Sequence, residues 1–182
     1  MFDGTFGGGG HSAALLRRHP NLKVLGTDLD ESLLEHCRLE YADLVKARRL
    51  ALKHCNFVNI PAIDLKKEFN RKITVKSHFD VGLLDLGFSN FQVSDADRGF
   101  SYLPQSDEAY LDMRFDNSHD SMSVTASDIV NGSSELELTQ IFKRFGDEKF
   151  APKLAQGIMA ARQGTIISTT GELKDAIRAT FP

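Results

Sequence analysis

Residues Asp3 to His11 read D-G-T-F-G-G-G-G-H, a glycine run between an acidic residue and a helical pattern that begins at Ser12. Glycines at a strand-to-helix turn let backbone approach a ligand closely, because no Cβ stands in the way. The helix behind them would add the positive end of its dipole. Asp28 follows at the end of the next apolar run, where a carboxylate can accept both hydroxyl hydrogens of a ribose. A glycine turn plus an acid says nucleoside cofactor, and it fits NAD, FAD or S-adenosylmethionine. Two details favour the last. Asp3 can meet a cationic amino group directly or through water, and Gly7 to Gly10 run consecutively where a dinucleotide fingerprint would read G-x-G-x-x-G. The same residues would also suit a tight turn with no ligand.

A second constellation is L-L-D-L-G-F-S-N-F-Q, Leu83 to Gln92. Ligands in open α/β sheets sit beyond the carboxyl ends of the strands, which is where Asp85 falls. Beside a transferred group or its acceptor, Asp85 would do chemistry; turned onto its own backbone, it would cap a turn. Both readings stay open. The Gln92 amide can reach a cofactor or a base edge.

These residues need a scaffold, and the pattern supplies βα units of a parallel sheet. A short helix is expected over Ser12–Arg18 and a strand over Lys23–Thr27. Asp30 is a candidate N-cap for a long helix reaching Lys53, with Leu33, Leu34, Cys37, Tyr41, Leu44 and Val45 on one face. Strands are expected at Phe57–Ile60 and Phe79–Leu84. Residues 86–118 show no periodicity, and a loop of that length is usually functional. From Thr125 the pattern is helical, with S/T-x-x-E capping boxes at Ser134–Glu137 and Thr169–Glu172. The division expected is 1–118 for a partial α/β domain and 119–182 for a helical region. A doubly wound sheet usually has more strands than this, so the sequence reads as a fragment truncated at both ends, lacking the strand ahead of Asp3.

Composition narrows the classes. The 182 residues are 41% hydrophobic and 26% charged with a net charge of −3, which suits a folded domain and argues against a strongly basic nucleic-acid binder. No apolar run approaches the ~20 residues of a membrane helix. Cys37 and Cys55 are too far apart for a CxxC motif and read as free thiols of a reducing compartment.

The segments DGTFGGGGHS, GTDLD, LLDLGFSNFQ, DRGFS, LDMRFD, FGDEKFAPKLAQGI and TTGEL occur in the order seen in the MraW-like methyltransferases. The chain resembles that family, also called ribosomal RNA small-subunit methyltransferase H, over nearly its whole length. The resemblance implies an α/β class I (Rossmann-like) methyltransferase sheet interrupted by an inserted all-helical region. It implies methyl transfer from S-adenosylmethionine to the exocyclic amine of a cytidine in small-subunit ribosomal RNA, free or within a pre-assembled subunit. Carried over by position, the cofactor residues are Gly9, Gly10, His11, Asp28, Asp85 and Gln92, with Asp85 nearest the chemistry. A further contact, after the third strand, is ambiguous around Ala62. Asn90-Phe91 departs from the family's usual Ser-Pro-like pair.

Arg98 and Arg114, among Phe88, Phe91 and Phe100, are candidates for holding RNA through phosphates and unstacked bases. Alternatively Arg114 pairs with Asp112 or Asp116 and the rings fill a core. The helical region carries seven Lys/Arg against eight Asp/Glu, so any basic footprint there is a local patch such as Lys143, Arg144, Lys149 and Lys153. The competing classes are an NAD-type oxidoreductase and a non-catalytic fragment that binds S-adenosylmethionine. The setting expected is intracellular: cytoplasmic for a bacterial protein, mitochondrial for a eukaryotic one. The long second helix tips the balance toward an organelle.

Overall fold

Alternate residues of three apolar strands point to opposite sides, and that alternation builds both cores of the sheet. In a computed structural model, which describes residues 1–62, 65–69, 79–116 and 123–181, β1 is Phe2–Asp3, β2 Val24–Asp28, β3 Leu50–His54 and β4 Gly82–Leu83. All pair in parallel, in the order β3-β2-β1-β4. Val24, Leu50 and Leu52 pack with Phe6, Leu16, Leu33, Leu34 and Cys37. Leu25 and Ala51 pack with Phe2 and Phe69. The helices of this part are α1 (Gly10–Arg18), α2 (Glu31–Glu40), α3 (Ala42–Lys46) and α4 (Leu65–Phe69).

Three expectations are corrected. Phe2–Asp3 is a strand after all: the Phe2 and Gly4 N–H groups donate to Val81 and Leu83 on one side while Leu25 N–H donates to Met1 on the other. The helix expected from Asp30 to Lys53 ends at Glu40. After it come α3, a left-handed Arg48 (φ 53°) and β3, so non-local pairing of Leu50–His54 with β2 overrides local helical spacing. Phe57–Ile60 belongs to a 3₁₀ turn, Phe57–Ala62, started by Asn56, whose side-chain oxygen accepts from Val58 N–H at 3.1 Å.

By packing, the chain falls into two units: Met1–Phe91 with Phe115–Ser118, and Gln92–Arg114 with His119–Pro182. The second contains most of α5 (Asn90–Ser94), a 3₁₀ turn at Pro104–Ser106, and helices α6 (Ala126–Gly132), α7 (Glu135–Gly146), α8 (Ala151–Ala161) and α9 (Thr170–Thr180). Its core holds Leu111, Val130, Leu138, Ala155, Ile158, Ile167 and Ala176. Packing thus draws the boundary elsewhere than residue 118. Leu111 N–H donates to Ser168, Thr170 N–H to Ala109 and Ser127 N–H to Leu111, which stitches the loop to the helices. Both expected capping boxes form, at Ser134/Glu137 and Thr169/Glu172, and a third forms at Thr125/Asp128.

Candidate active site

In the sheet unit the glycine turn follows β1, an interior strand with β2 and β4 as its neighbours. Gly7 (φ 52°) and Gly9 (φ 76°) occupy the left-handed region that other residues avoid. A Cβ on Gly9 would lie 2.6 Å from the Phe6 ring and 2.8 Å from that of Tyr41, whereas one on Gly8 or Gly10 would meet nothing within 4 Å. The turn is therefore packed underneath at Gly9 and open beside Gly8 and Gly10. Gly9 also starts α1 without any side-chain cap, which leaves the helix end suited to an anionic group.

Several groups hold the turn in shape. Asp28, at the end of β2, accepts the Gly7 N–H at 2.7 Å with one oxygen and the Asp30 N–H at 3.0 Å with the other. From α2 and the residue after it, the Cys37 thiol donates to Gly7 C=O at 3.5 Å and the Tyr41 hydroxyl to Gly8 C=O at 2.9 Å. Burial, then the nearby Glu40 and Asp28, push the Cys37 thiol up to about 11, so it stays protonated and keeps donating. Asp3 is 1% exposed. Its oxygens accept from Thr5 N–H (3.2 Å) and the Ser12 hydroxyl (2.6 Å), and burial raises its carboxyl above the ordinary range. The Asp3 carboxylate therefore serves the turn itself.

On the other flank, Asp85 stands two residues past β4, and its N–H donates to Thr5 Oγ1 at 2.7 Å. Its carboxylate is solvent-facing, 3.8 Å from His11 Nδ1, the two side chains being 67% and 70% exposed. The first unit thus brings together Gly9, Gly10, His11, Asp28 and Asp85. Gln92 is buried on α5 and groups by packing with the second unit. Ala62 ends the 3₁₀ turn, and residues 63 and 64 lie outside the described residues.

The supporting roles of Cys37 and Tyr41 were not read from the sequence, although their i, i+4 spacing on one apolar helical face was visible. Nor was the role of His54, at the end of β3. That ring lies 3.1 Å from Glu31 and 3.0 Å from Leu29 C=O, and Arg38 binds the same Glu31 at 2.8 Å. These contacts fasten the segment that follows Asp28.

Arg98 and Arg114 are built into the second unit. Arg98 is buried, donates to Arg114 C=O at 2.9 Å and lies 5.9 Å from the Phe100 ring. Arg114 makes a bidentate pair with Asp112, both bonds 2.7 Å, and donates to Ser123 at 2.9 Å. These arginines act as scaffold. Arg114 thus makes the pairing with Asp112 that the sequence offered as the alternative to holding phosphate, and Arg98 reaches the Arg114 backbone. The hydrogen bonds from Arg114 hold the Asp112 carboxyl below its ordinary range despite partial burial. A depressed carboxyl stabilises the fold above its unfolded pKa of about 4, and the gain fades as pH falls through the folded value. Arg114→Ala is expected to cost about 1–3 kcal/mol at pH 7. In thermal melts the gap between variant and parent should narrow as pH is lowered from 5 toward 3.

An open parallel sheet with a glycine turn and flanking carboxylates at its strand ends defines a Rossmann-like α/β fold. Within that class the chain belongs to the MraW methylase family, whose model matches residues 1–182. It is similar to the ribosomal RNA small subunit methyltransferase H of Thermobifida fusca, 41% identical over 180 residues, covering 99% of this chain and 50% of the relative. The enzyme of that name from Pseudarthrobacter chlorophenolicus is 39% identical over 184 residues (100% and 51%). The one from Clostridium botulinum is 35% identical over 181 residues (99% and 53%). The chain spans about half the length of the curated relatives it matches. Membership in a methylase family leaves the oxidoreductase alternative without support. The mitochondrial expectation is not borne out either. The long helix behind it is broken at Tyr41 and Leu50, and these relatives are bacterial. Among the described residues no helix is long and apolar enough to cross a membrane.

Proposed function

We propose that the chain forms the S-adenosylmethionine site of an enzyme that methylates the exocyclic amine of a cytidine in small-subunit ribosomal RNA, free or within the assembling subunit. The observation that carries the reading is the open glycine turn after β1, flanked by Asp28 and Asp85 at the ends of the two strands on either side of it. That substrate sets the protein inside a cell. When bound, S-adenosylmethionine supplies an electrophilic methyl on a sulfonium, chemistry that requires neither a metal nor a covalent enzyme intermediate.

The residues present fit that group. Each Asp28 oxygen has one lone pair engaged by a backbone N–H and a second left for a ribose hydroxyl. The open space beside Gly8 and Gly10 accommodates ligand where side chains would block it. Gln92 is kept as a cofactor or base contact. A cytosine amine is a weak nucleophile because its lone pair is delocalised into the ring. Transfer therefore needs in-line positioning and an acceptor for the departing proton. Asp85, solvent-facing beside the turn, is the carboxylate assigned to that amine.

The test is calorimetric titration of the chain with S-adenosylmethionine and, separately, with NAD, followed by methyl transfer to small-subunit RNA. Selective binding of S-adenosylmethionine with transfer is expected. Binding of NAD alone would overturn the proposal, and binding without transfer would favour a non-catalytic role. In Asp85→Asn, transfer should fall about 10²-fold or more while cofactor affinity stays within a few-fold. Full activity in that variant would remove Asp85 from the chemistry.

A further inference from the structure

One end of the helical unit carries exposed rings alternating with cations. Phe145 stands in the last turn of α7, Phe150 at the start of α8 and Phe181 just after α9. Phe145 is 75% exposed and Phe150 62%. The Phe150 and Phe181 rings meet edge to face with centroids 6.0 Å apart. Lys153 Nζ lies 4.7 Å from the Phe181 ring, and the Arg144 guanidinium 5.3 Å from that of Phe145. Lys143 and Lys149 are exposed in the same α7–α8 hairpin. Beside Phe145 runs an open groove of about 240 Å³ lined also by Glu137, Gln140, Ile141 and Arg144, with the Glu137 carboxylate engaged by Ser134 in the α7 capping box.

The charge is local. From Lys143 to Lys153 four cations (Lys143, Arg144, Lys149, Lys153) face two carboxylates, Asp147 and Glu148, in a chain whose net charge is −3. Glu148 is turned onto the backbone, accepting the Phe150 N–H at 2.7 Å. Single exposed phenylalanines are ordinary, but here Arg144 lies by the exposed Phe145 ring and Lys153 by Phe181, which in turn packs on Phe150. Protein interfaces take up aromatic rings and arginine but are depleted of lysine, and three of the four cations here are lysines. Aromatic faces for bases with cations for the intervening phosphates are how single strands are held.

We propose that this end of the helical unit is a platform for single-stranded RNA. Phe145 and Phe150 stack bases, and Arg144, Lys149 and Lys153 pair with the flanking phosphates. The Gln140 amide is available to a base edge in the groove. The identity of the partner rests on the RNA methyltransferase reading above; the surface itself does not involve the glycine turn.

The experiment is fluorescence anisotropy of the chain with a labelled single-stranded RNA of about a dozen nucleotides across a salt series. Phe145→Ala/Phe150→Ala should weaken binding about tenfold or more with an unchanged salt slope. Lys149→Gln/Lys153→Gln should weaken it and lower the slope of log affinity against log salt by about 1.4. The second pair carries the test should the first disturb folding, which thermal melting reports. Unchanged affinity in both pairs overturns the platform. Self-association in sedimentation that Phe145→Ala/Phe150→Ala abolishes, with RNA affinity intact, also overturns it and assigns the surface to a second copy. Titration with S-adenosylmethionine on the same samples separates the two ideas. Cofactor binding with RNA affinity indifferent to these residues defeats the platform alone. RNA affinity that follows them without cofactor binding supports the platform and overturns the proposal that this chain forms the cofactor site.

Discussion

Gly9→Val should leave a chain that melts well below the parent and no longer binds S-adenosylmethionine. The left-handed backbone at φ 76° is a poor one for any β-branched residue, costing about 1–3 kcal/mol. The new Cβ would also intrude to 2.6 Å from the Phe6 ring and 2.8 Å from Tyr41, and such overpacking costs roughly 1–3 kcal/mol more. At about 2–4 °C per kcal/mol for a chain of this size, the melting point should drop by roughly 5–20 °C. Gly10→Ala separates folding from binding. Its Cβ meets no protein atom within 4 Å and its φ is not positive, and alanine suits a helix better than glycine by about 0.5–1 kcal/mol. It should therefore melt at or above the parent temperature while weakening the cofactor, because the methyl fills space the ligand needs. Circular dichroism melts with calorimetric titration of both variants read this out. A Gly10→Ala chain with parental affinity would show that the ligand does not approach the turn there.

What was legible in the sequence was local. The capping boxes at Ser134 and Thr169 form because two orphan donors and two side chains lie within four residues of each other. The box at Thr125 went unread because Asp128 stands where glutamate was sought. The glycine turn was legible because glycine in sequence means conformational freedom in space. Strand β3 was not, because Leu50 to His54 continue a helical spacing and only pairing with β2, more than twenty residues away in the chain, decides otherwise. The same limit hid the company kept by residues 92–114: nothing near Leu111 in sequence announces that its N–H will meet Ser168.

The arginines show a second limit. Read as charges in a loop, Arg98 and Arg114 suggest phosphate, and Arg114 equally a pair with Asp112 or Asp116. In the fold, Met113 takes a left-handed conformation at φ 60°, and Arg114 closes onto Asp112 two residues back. A sequence reports which cations exist, whereas backbone conformation decides which of them are already neutralised. Cys37 and Tyr41 show the converse. Counted as members of an apolar face, they bring polar tips that hold the carbonyls of Gly7 and Gly8. The turn is thus organised by α2 as well as by its own glycines.

Asp28 carries the other large effect, because it is scaffold and ligand group at once. Asp28→Ala removes the acceptor of the Gly7 N–H and of the Asp30 N–H. It should cost about 1–3 kcal/mol of stability through donors left unsatisfied. Hydrogen bonds to a charged acceptor contribute about 1.5–3 kcal/mol each, so losing two to a ribose should lower affinity for S-adenosylmethionine on the order of 10²- to 10⁴-fold. Affinity alone does not separate a lost contact from a disordered turn. A ligand lacking one ribose hydroxyl does. The parent should discriminate strongly between S-adenosylmethionine and its 2′-deoxy analogue, since a half-buried acceptor loses its partner. Asp28→Ala should bind the two about equally, with the coupling read from the four titrations as a double-mutant cycle. Asp28→Glu keeps the charge but moves it by one methylene, so it should regain some stability without regaining the discrimination. If Asp28→Ala still preferred the ribose form as strongly as the parent, Asp28 would be a brace for Gly7 and the ribose would be held by another group.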